Sequence, residues 1–217
     1  MRGDAGMKRI LCYGDSNTWG TRPDGLGRWE KRWPISLKEE LGEECAIIEE
    51  GCGGRTTVWD DPLEMHKNGR TYLLPCLHSH RPLDAVVIAL GTNDLKCRFS
   101  LTPYDIAAGA GELAKEVLRC EYGHGYPVPK VLLIAPAPLG NNLMKSPIGK
   151  LFDEYAVKKS CLLAEEYREM ADALGVEFLD AGVYAVTGED EVHYDEASHI
   201  RLAKAAADKL REMLADD

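Results

Sequence analysis

The sequence predicts an α/β protein with a five-stranded parallel sheet, and three observations support this. Short apolar runs recur along the 217 residues, longer helical stretches separate them, and the runs do not alternate between apolar and polar residues. Continuous apolar runs are typical of strands buried on both faces, and alternating strands and helices are typical of parallel sheets. We expect one domain over residues 1–217, since no linker, repeat or low-complexity tract divides the chain.

The predicted strands and helices follow one another in order. The strands are placed at residues 8–13, 45–50, 84–90, 129–135 and 176–180, and the helices at 33–41, 71–80, 102–122, 148–174 and 195–214. Thr102 and Pro103 fit an N-cap and first helical residue, while Gly42 and Gly175 fit helix ends. Ligands of parallel sheets lie beyond the carboxyl ends of the strands. The loops after the strands should therefore carry the functional residues.

Composition and charge exclude several classes of partner. The net charge is −10 and the 26 Lys and Arg residues are scattered, so no nucleic-acid partner is expected. No run of eighteen apolar residues could span a membrane, and no secretory signal is evident. Seven cysteines without a C-x-x-C pair indicate reduced thiols and a cytoplasmic protein. Residues 1–6 are expected to be a ragged or added end, with Met7 as an alternative start.

Four short polar blocks stand in a fixed order between these elements. Three of them directly follow the first, second and third strands, and the fourth follows the fifth strand by a loop. They are Gly14-Asp15-Ser16-Asn17, Gly51-Cys52-Gly53-Gly54-Arg55, Gly91-Thr92-Asn93-Asp94 and Asp190-Glu191-Val192-His193. Together they supply a hydroxyl, a glycine backbone that a ligand can approach closely, an amide, and a carboxylate–imidazole pair. These are the groups that acyl transfer by an activated serine requires.

The hydroxyl is that of Ser16, which alone would fit an ordinary turn and helix N-cap. Its position after a strand favours a nucleophile, and a nucleophilic serine needs a base. His193 is the favoured base, because Asp190 three residues earlier can fix its tautomer. His199 competes, with Glu196 three residues before it, but both fall in the C-terminal helix, where such pairs are ordinary surface neighbours. The remaining histidines are expected to be solvated surface residues: His66, His78, His80 and His124.

Gly54 and Asn93 would complete the site as donors to an oxyanion. A glycine backbone N–H can approach a developing negative charge closely, and an amide side chain after a strand can donate a second hydrogen bond. The Ser16 N–H would be the third donor. Taken singly, Gly54 also fits a flexible turn, and Asn93 fits an Asx-turn or N-cap.

Cofactor and metal chemistry lack their motifs. The turn after the first strand is not a phosphate cradle for FMN, and neither G-x-G-x-x-G nor G-x-x-x-x-G-K-[ST] occurs. Asp190 and His193 are only two ligands, too few for metal-assisted hydrolysis, and no histidine pair at i,i+4 accompanies them. We expect no cofactor and no metal.

The four blocks resemble those of the SGNH (GDSL-type) hydrolases. The family's Ser, Gly, Asn and His match Ser16, Gly54, Asn93 and His193, and Asp190 matches its acid. Longer strings resemble the mycobacterial arylesterase/acyltransferase branch: Thr18-Trp19-Gly20, Arg55-Thr56-Thr57, Asp60-Asp61-Pro62 and Leu90-Gly91-Thr92-Asn93-Asp94. The resemblance implies a flavodoxin-like α/β/α fold, hydrolysis of small short-acyl or aryl esters through an acyl-enzyme, and a homo-oligomer, an octamer in that branch.

The sequence also departs from that branch. Asn17 replaces the usual Leu after the nucleophile, Gly54 stands where the branch can carry Ala, and the loop at 21–27 lacks an aromatic residue. These changes leave hydrolysis intact but argue against efficient acyl transfer. The substrate is expected to contact the residues flanking the blocks: Asn17, Trp19, Leu95, Lys96 and Val192.

The alternatives to small-ester hydrolysis are deacetylation of an O-acetylated sugar or metabolite, and acyl transfer to alcohols. A catalytically silent carbohydrate- or ester-binding module is a different class, against which the intact Ser16, Asp190 and His193 argue.

Overall fold

The five predicted strands form one parallel sheet in the order β2-β1-β3-β4-β5. A computed structural model describes residues 6–215. The strands are β1 (Lys8–Gly14), β2 (Cys45–Gly51), β3 (Ala85–Ala89), β4 (Lys130–Ala135) and β5 (Glu177–Asp180). This order is that of flavodoxin-like sheets. Successive strands are added on one side of β1 first and then, from β3 onwards, on the other side. The predicted fold class is confirmed.

Seven α-helices are found in the described part of the chain. They are α1 (Ser16–Trp19), α2 (Trp33–Leu41), α3 (Gly69–His80), α4 (Pro103–Arg119), α5 (Ala156–Ser160), α6 (Leu163–Leu174) and α7 (Glu196–Leu214). Four of the five predicted helices are observed, with bounds that shift by at most three residues. The prediction of a ragged end at residues 1–6 falls almost wholly on residues 1–5, which lie outside the described residues.

The longest helices begin where the sequence supplies a cap. The Thr102 Oγ1 accepts a hydrogen bond from Asp105 N at 3.1 Å, and the Asp105 carboxylate accepts one from Thr102 N at 2.9 Å. This reciprocal capping box, followed by Pro103 at the first helical position, fixes the start of α4. At the start of α7, Asp195 is the N-cap, and its carboxylate accepts a hydrogen bond from Ser198 N at 2.7 Å.

The helices cover both faces of the sheet in two apolar layers. Helices α3, α4 and α6 pack on one face, where Leu11, Val86 and Ile106 are fully buried. Helices α2 and α7 pack on the other, where Ile10 and Trp33 are buried. The edge strands β2 and β5 each have only one buried residue, so the expectation of five fully buried strands is wrong at both edges of the sheet.

The prediction of one long helix over 148–174 is also wrong. This stretch contains α5, α6 and a short 3₁₀ turn at Gly149–Leu151. The Asp153 carboxylate accepts a hydrogen bond from Tyr155 N, and the Ser160 hydroxyl donates to Val157 O while accepting from Leu139 N. Short polar side chains that bond to nearby backbone in this way compete with helix formation. No helix within residues 6–215 is both long and apolar enough to cross a membrane.

Candidate active site

Ser16 is the first residue of α1, one residue after the end of β1, which lies between β2 and β3 in the sheet. Asp15 caps this helix, because its Oδ1 accepts a hydrogen bond from Asn17 N at 2.9 Å. Gly14 leaves no room for a side chain, since a Cβ there would collide with the side chain of Thr18. The tight turn places Ser16 at the carboxyl edge of the sheet, beside the point where the strand order reverses.

A continuous set of hydrogen bonds joins Ser16 to His193 and Asp190. The His193 Nε2 lies 2.9 Å from Ser16 Oγ, and its Nδ1 lies 2.5 Å from Asp190 Oδ2. The two ends are 177 residues apart in sequence. The side chains of His193 and Asp190 are only 15% and 10% exposed, which protects these bonds from water. The structure therefore brings together the three residues that the sequence analysis selected.

The turn before His193 holds the Asp190 carboxylate in place. Asp190 Oδ1 accepts hydrogen bonds from the backbone N–H of Val192 at 2.9 Å and of His193 at 2.8 Å. Burial alone would raise the pKa of Asp190, but the bonds from His193 and Val192 outweigh it and hold the pKa below its ordinary value. Glu191 has a φ of 66°, which a non-glycine residue rarely adopts, and such strain is concentrated at functional sites.

Asn93 and Gly54 lie on adjoining loops. Asn93 Nδ2 donates a hydrogen bond to Arg55 O at 3.1 Å, which leaves its second N–H available. Asp94 ties the same loops together, since its carboxylate accepts from Thr57 N at 3.0 Å and from Thr57 Oγ1. Burial raises the pKa of Asp94 to about 7. The side chain of Asn93 is thus fixed relative to the loop that carries Gly54.

A network of charged side chains lies against Gly54. A Cβ at Gly54 would stand 2.9 Å from Glu64 Oε2, and the φ of Gly54 is 80°. Glu64 Oε1 binds Lys96 Nζ at 3.0 Å and Arg98 Nη2 at 2.7 Å, and Arg98 also binds Asp61 at 2.6 Å. Burial would raise the pKa of the Asp61 carboxyl, but hydrogen bonds from Leu63 N and Arg98 keep it lower than usual. The network holds the 61–64 segment over Gly54.

The five residues expected to contact substrate occupy different environments. Trp19 is 37% exposed, while Asn17, Leu95, Lys96 and Val192 are at most 5% exposed. Leu95 and Val192 belong to the hydrophobic core, and Lys96 belongs to the charged network. Their role as substrate contacts stays a prediction.

The expectation that His199 is an ordinary surface residue of the C-terminal helix is wrong. His199 is fully buried, and its Nδ1 accepts a hydrogen bond from Trp33 N at 3.2 Å. Burial lowers its pKa to about 4, so the ring is neutral at physiological pH. His199 therefore joins α7 to the start of α2.

Sequence reasoning missed the partners that hold these residues in place. Glu64 and Arg98 flank the site, but they were not selected, because they lie outside the four polar blocks of the sequence. Asp61 was noted only within a family string. The Asp94 carboxylate was likewise noted in a motif without a role. The signal that could have found them is an unusual density of charged residues in short loops near the second and third blocks.

Comparisons with known proteins agree with this architecture. The sequence matches the profile of the GDSL-like Lipase/Acylhydrolase family over residues 12–212. No curated protein matches the chain significantly.

Solved structures of high similarity are known. A carbohydrate acetylesterase from Sinorhizobium meliloti is 42% identical with a TM-score of 0.87, covering 95% of this chain and 99% of that one. The native aryl esterase of M. smegmatis is 42% identical with a TM-score of 0.88, covering 95% of this chain and 100% of that one. A carbohydrate acetylesterase family member from Sinorhizobium meliloti is 36% identical with a TM-score of 0.90, covering 96% and 100%. The chain therefore belongs to the GDSL-like lipase/acylhydrolase family of SGNH hydrolases and is a carboxylic ester hydrolase.

Proposed function

We propose that the chain hydrolyses small carboxylic esters through an acyl-enzyme on Ser16. The observation that carries this proposal is the hydrogen-bonded series of Asp190, His193 and Ser16, with contacts of 2.5 Å and 2.9 Å. A serine hydroxyl becomes an effective nucleophile when an oriented imidazole can take its proton. The step needs the His193 tautomer that donates from Nδ1 to Asp190 and accepts from Ser16 Oγ at Nε2, and both contact distances are consistent with it.

In the first half of the reaction, Ser16 Oγ attacks the ester carbonyl carbon and its proton moves to His193 Nε2. The carbonyl π electrons move onto oxygen and form a tetrahedral oxyanion. His193 then protonates the leaving alcohol oxygen as its bond to carbon breaks. The negative Asp190 stabilises the imidazolium that exists between the two proton transfers.

Three N–H donors would stabilise the oxyanion: the backbone N–H groups of Ser16 and Gly54, and Asn93 Nδ2. Such donors are effective when they are fixed before the reaction begins. The bond from Asn93 Nδ2 to Arg55 O and the bonds of Asp94 to Thr57 supply that rigidity. In the second half, His193 takes a proton from water, the hydroxide oxygen attacks the acyl carbon, and Ser16 leaves with the proton.

The substrate class is proposed to be short-acyl or aryl esters. The second candidate is deacetylation of an O-acetylated sugar, which is favoured by the 42% identity to a carbohydrate acetylesterase. The same groups would perform both reactions, and transfer of the acyl group to an alcohol differs only in the second nucleophile. A panel of p-nitrophenyl esters and acetylated sugars, with and without an added alcohol, would separate the three. We further propose that the chain works as one domain and as a homo-oligomer.

The acyl-enzyme is tested with Ser16→Ala. This variant should lose p-nitrophenyl acetate turnover and covalent labelling by a fluorophosphonate, whereas the wild type should take up one label per chain. Ser79→Ala is the matched control, since Ser79 lies on α3 and its hydroxyl donates a hydrogen bond to Pro75 O at 2.8 Å. Stoichiometric labelling that persists in Ser16→Ala would overturn the assignment.

A further inference from the structure

Three potential metal-ligand side chains outside the Ser16 site converge between β2 and α3. Glu50, Cys76 and His80 each offer one ligand atom, and these atoms all lie within 4.8 Å of one another. Among the described residues this is the group of His, Cys, Asp and Glu that could hold a metal ion. The proposed ester hydrolysis uses none of the three.

The secondary structure holds this group in place. Glu50 is the penultimate residue of β2, which pairs along its whole length with β1. Cys76 and His80 are four residues apart on α3, so their side chains lie on the same face of the helix. His80 Nε2 already lies 2.8 Å from Glu50 Oε1. A strand and a helix, rather than mobile loops, therefore present all three ligand atoms.

The ligand chemistry fits Zn²⁺. A thiolate, an imidazole and a carboxylate are its usual protein ligands, at about 2.3, 2.0 and 2.1 Å respectively. In a tetrahedral site those bond lengths place neighbouring ligand atoms about 3.3–3.6 Å apart. The 2.8 Å separation between His80 Nε2 and Glu50 Oε1 needs to increase by about half an ångström. The other pairs of ligand atoms are at most 4.8 Å apart, so small side-chain movements bring them to tetrahedral spacing.

A metal ion can reach the group from the solvent-exposed side of His80 and Glu50, while contacts on the protein side hold the ligands. Cys76 is fully buried, whereas the side chains of His80 and Glu50 are 29% and 20% exposed. Arg9 Nη2 donates to His80 O at 3.2 Å and helps to hold the end of α3. Arg55 binds Glu50 O and lies over the ring of Tyr13. Its positive charge opposes a cation, so binding requires both the carboxylate and the thiolate form of Cys76.

We propose that Glu50 Oε, Cys76 Sγ and His80 Nε2 bind one Zn²⁺, with water as the fourth ligand. Binding displaces the thiol proton of Cys76 to solvent, and the sulfur lone pair forms the Zn–S bond. The proton that His80 Nε2 shares with Glu50 moves through solvent to Nδ1, so that the Nε2 lone pair can bind the metal. No redox change occurs. The metal joins α3 to the end of β2, which leads directly into the loop of Gly54.

The test uses the full chain purified with a chelator and then titrated with Zn²⁺ or with Co²⁺ as a spectroscopic probe. We expect one ion per chain, a thiolate-to-cobalt charge-transfer band, and a higher unfolding temperature with excess Zn²⁺, because a ligand that binds only the folded state stabilises it. Cys76→Ala should remove the band and weaken binding at least 100-fold, since even supporting residues of metal sites contribute 10–100-fold. His80→Gln should weaken binding similarly while retaining a polar side chain at the position.

Matched controls lie on the same helix and nearby. His78 Nε2 is 3.6 Å from Cys120 Sγ, so His78→Gln and Cys120→Ala test the nearest competing pair. Neither control should change the band or the affinity. The proposal is overturned if wild-type protein binds no tighter than Cys76→Ala, or if the band survives Cys76→Ala and disappears with Cys120→Ala. These readouts do not involve ester hydrolysis, so they are independent of the proposed Ser16 chemistry.

Discussion

Asn17 Oδ1 accepts a hydrogen bond from Tyr194 N at 3.0 Å, and Asn17 Nδ2 donates one to Val192 O at 3.4 Å. These two contacts lie on either side of His193. One side chain of the helix that carries Ser16 therefore holds the backbone on both sides of the proposed base. These contacts give Asn17 a positioning role in the structure.

Replacing Asn17 by Leu should lower kcat about tenfold, because each of the two lost hydrogen bonds is worth about 1 kcal/mol and only part of that total acts on the barrier. KM should change little, since Asn17 is nearly buried. Steady-state kinetics on p-nitrophenyl acetate would measure both. Trp19→Leu is the contrast, because Trp19 is exposed and should affect KM more than kcat. A raised KM with unchanged kcat in Asn17→Leu would mean that Asn17 binds substrate instead.

Replacing Asn93 by Ala should lower kcat by roughly 10²–10³-fold, or ~3–4 kcal/mol, with KM little changed. The reason is that its free N–H meets negative charge only in the tetrahedral state. Asn93→Asp should be at least as damaging, since an ionised carboxylate cannot donate and repels the oxyanion. The unfolding temperature of the variant is measured as a control, because the substitution also removes the hydrogen bond from Asn93 Nδ2 to Arg55 O. Unchanged kcat with a raised KM would contradict the oxyanion role.

Replacing Gly54 by Ala should lower stability and kcat together. The φ of 80° costs a non-glycine residue about 1 kcal/mol or more, and the new Cβ would stand 2.9 Å from Glu64 Oε2. The double variant with Glu64→Ala removes the collision but not the backbone cost. Partial recovery in the double variant, measured by unfolding temperature and kcat, is the expected result. Full activity in the single variant would show that the backbone here tolerates a side chain.

His199 should make the protein less stable in acid. Its pKa falls from 6.5 in the unfolded chain to about 4 in the fold because the ring is buried. Between these values the unfolded state binds a proton that the folded state does not, so the free energy of unfolding falls as pH drops, by about 3 kcal/mol in total. His199→Asn keeps an acceptor for Trp33 N and should lose this dependence.

Denaturant unfolding at pH 7 and pH 4 would measure the difference between the two proteins. The free energy of unfolding of the wild type minus that of His199→Asn should fall by about 3 kcal/mol between pH 7 and pH 4. The turnover number of the variant should stay within tenfold of wild type, because Trp33, not substrate, is the partner of His199. A constant gap at both pH values would mean that the ring is already solvated in the fold.

The sequence predicted those features that local patterns encode. Every strand lies within a residue of its predicted place, because continuous apolar runs are a strong local signal. The proximity of Ser16 and His193 could be predicted despite their separation in sequence, because loops after parallel strands converge on one edge of the sheet.

The remaining features depend on contacts between distant segments. In the broken 148–174 helix, the Ser160 hydroxyl also accepts a hydrogen bond from Leu139 N, and no local pattern shows this contact. His199 looks like a surface residue in one helix until Trp33 packs against it. The convergence of Glu50 with Cys76 and His80 likewise exists only once α3 lies beside β2.

The 177-residue separation between Ser16 and His193 has a consequence for synthesis on the ribosome. The proposed nucleophile and the loops of Gly54 and Asn93 are translated long before the turn that holds Asp190 and His193. A nascent chain therefore carries Ser16 without its proposed base for most of translation, and we expect it to be inert towards esters. Division of the gene between α6 and β5 would give two silent fragments, and ester turnover would report their reassembly along the β4–β5 edge.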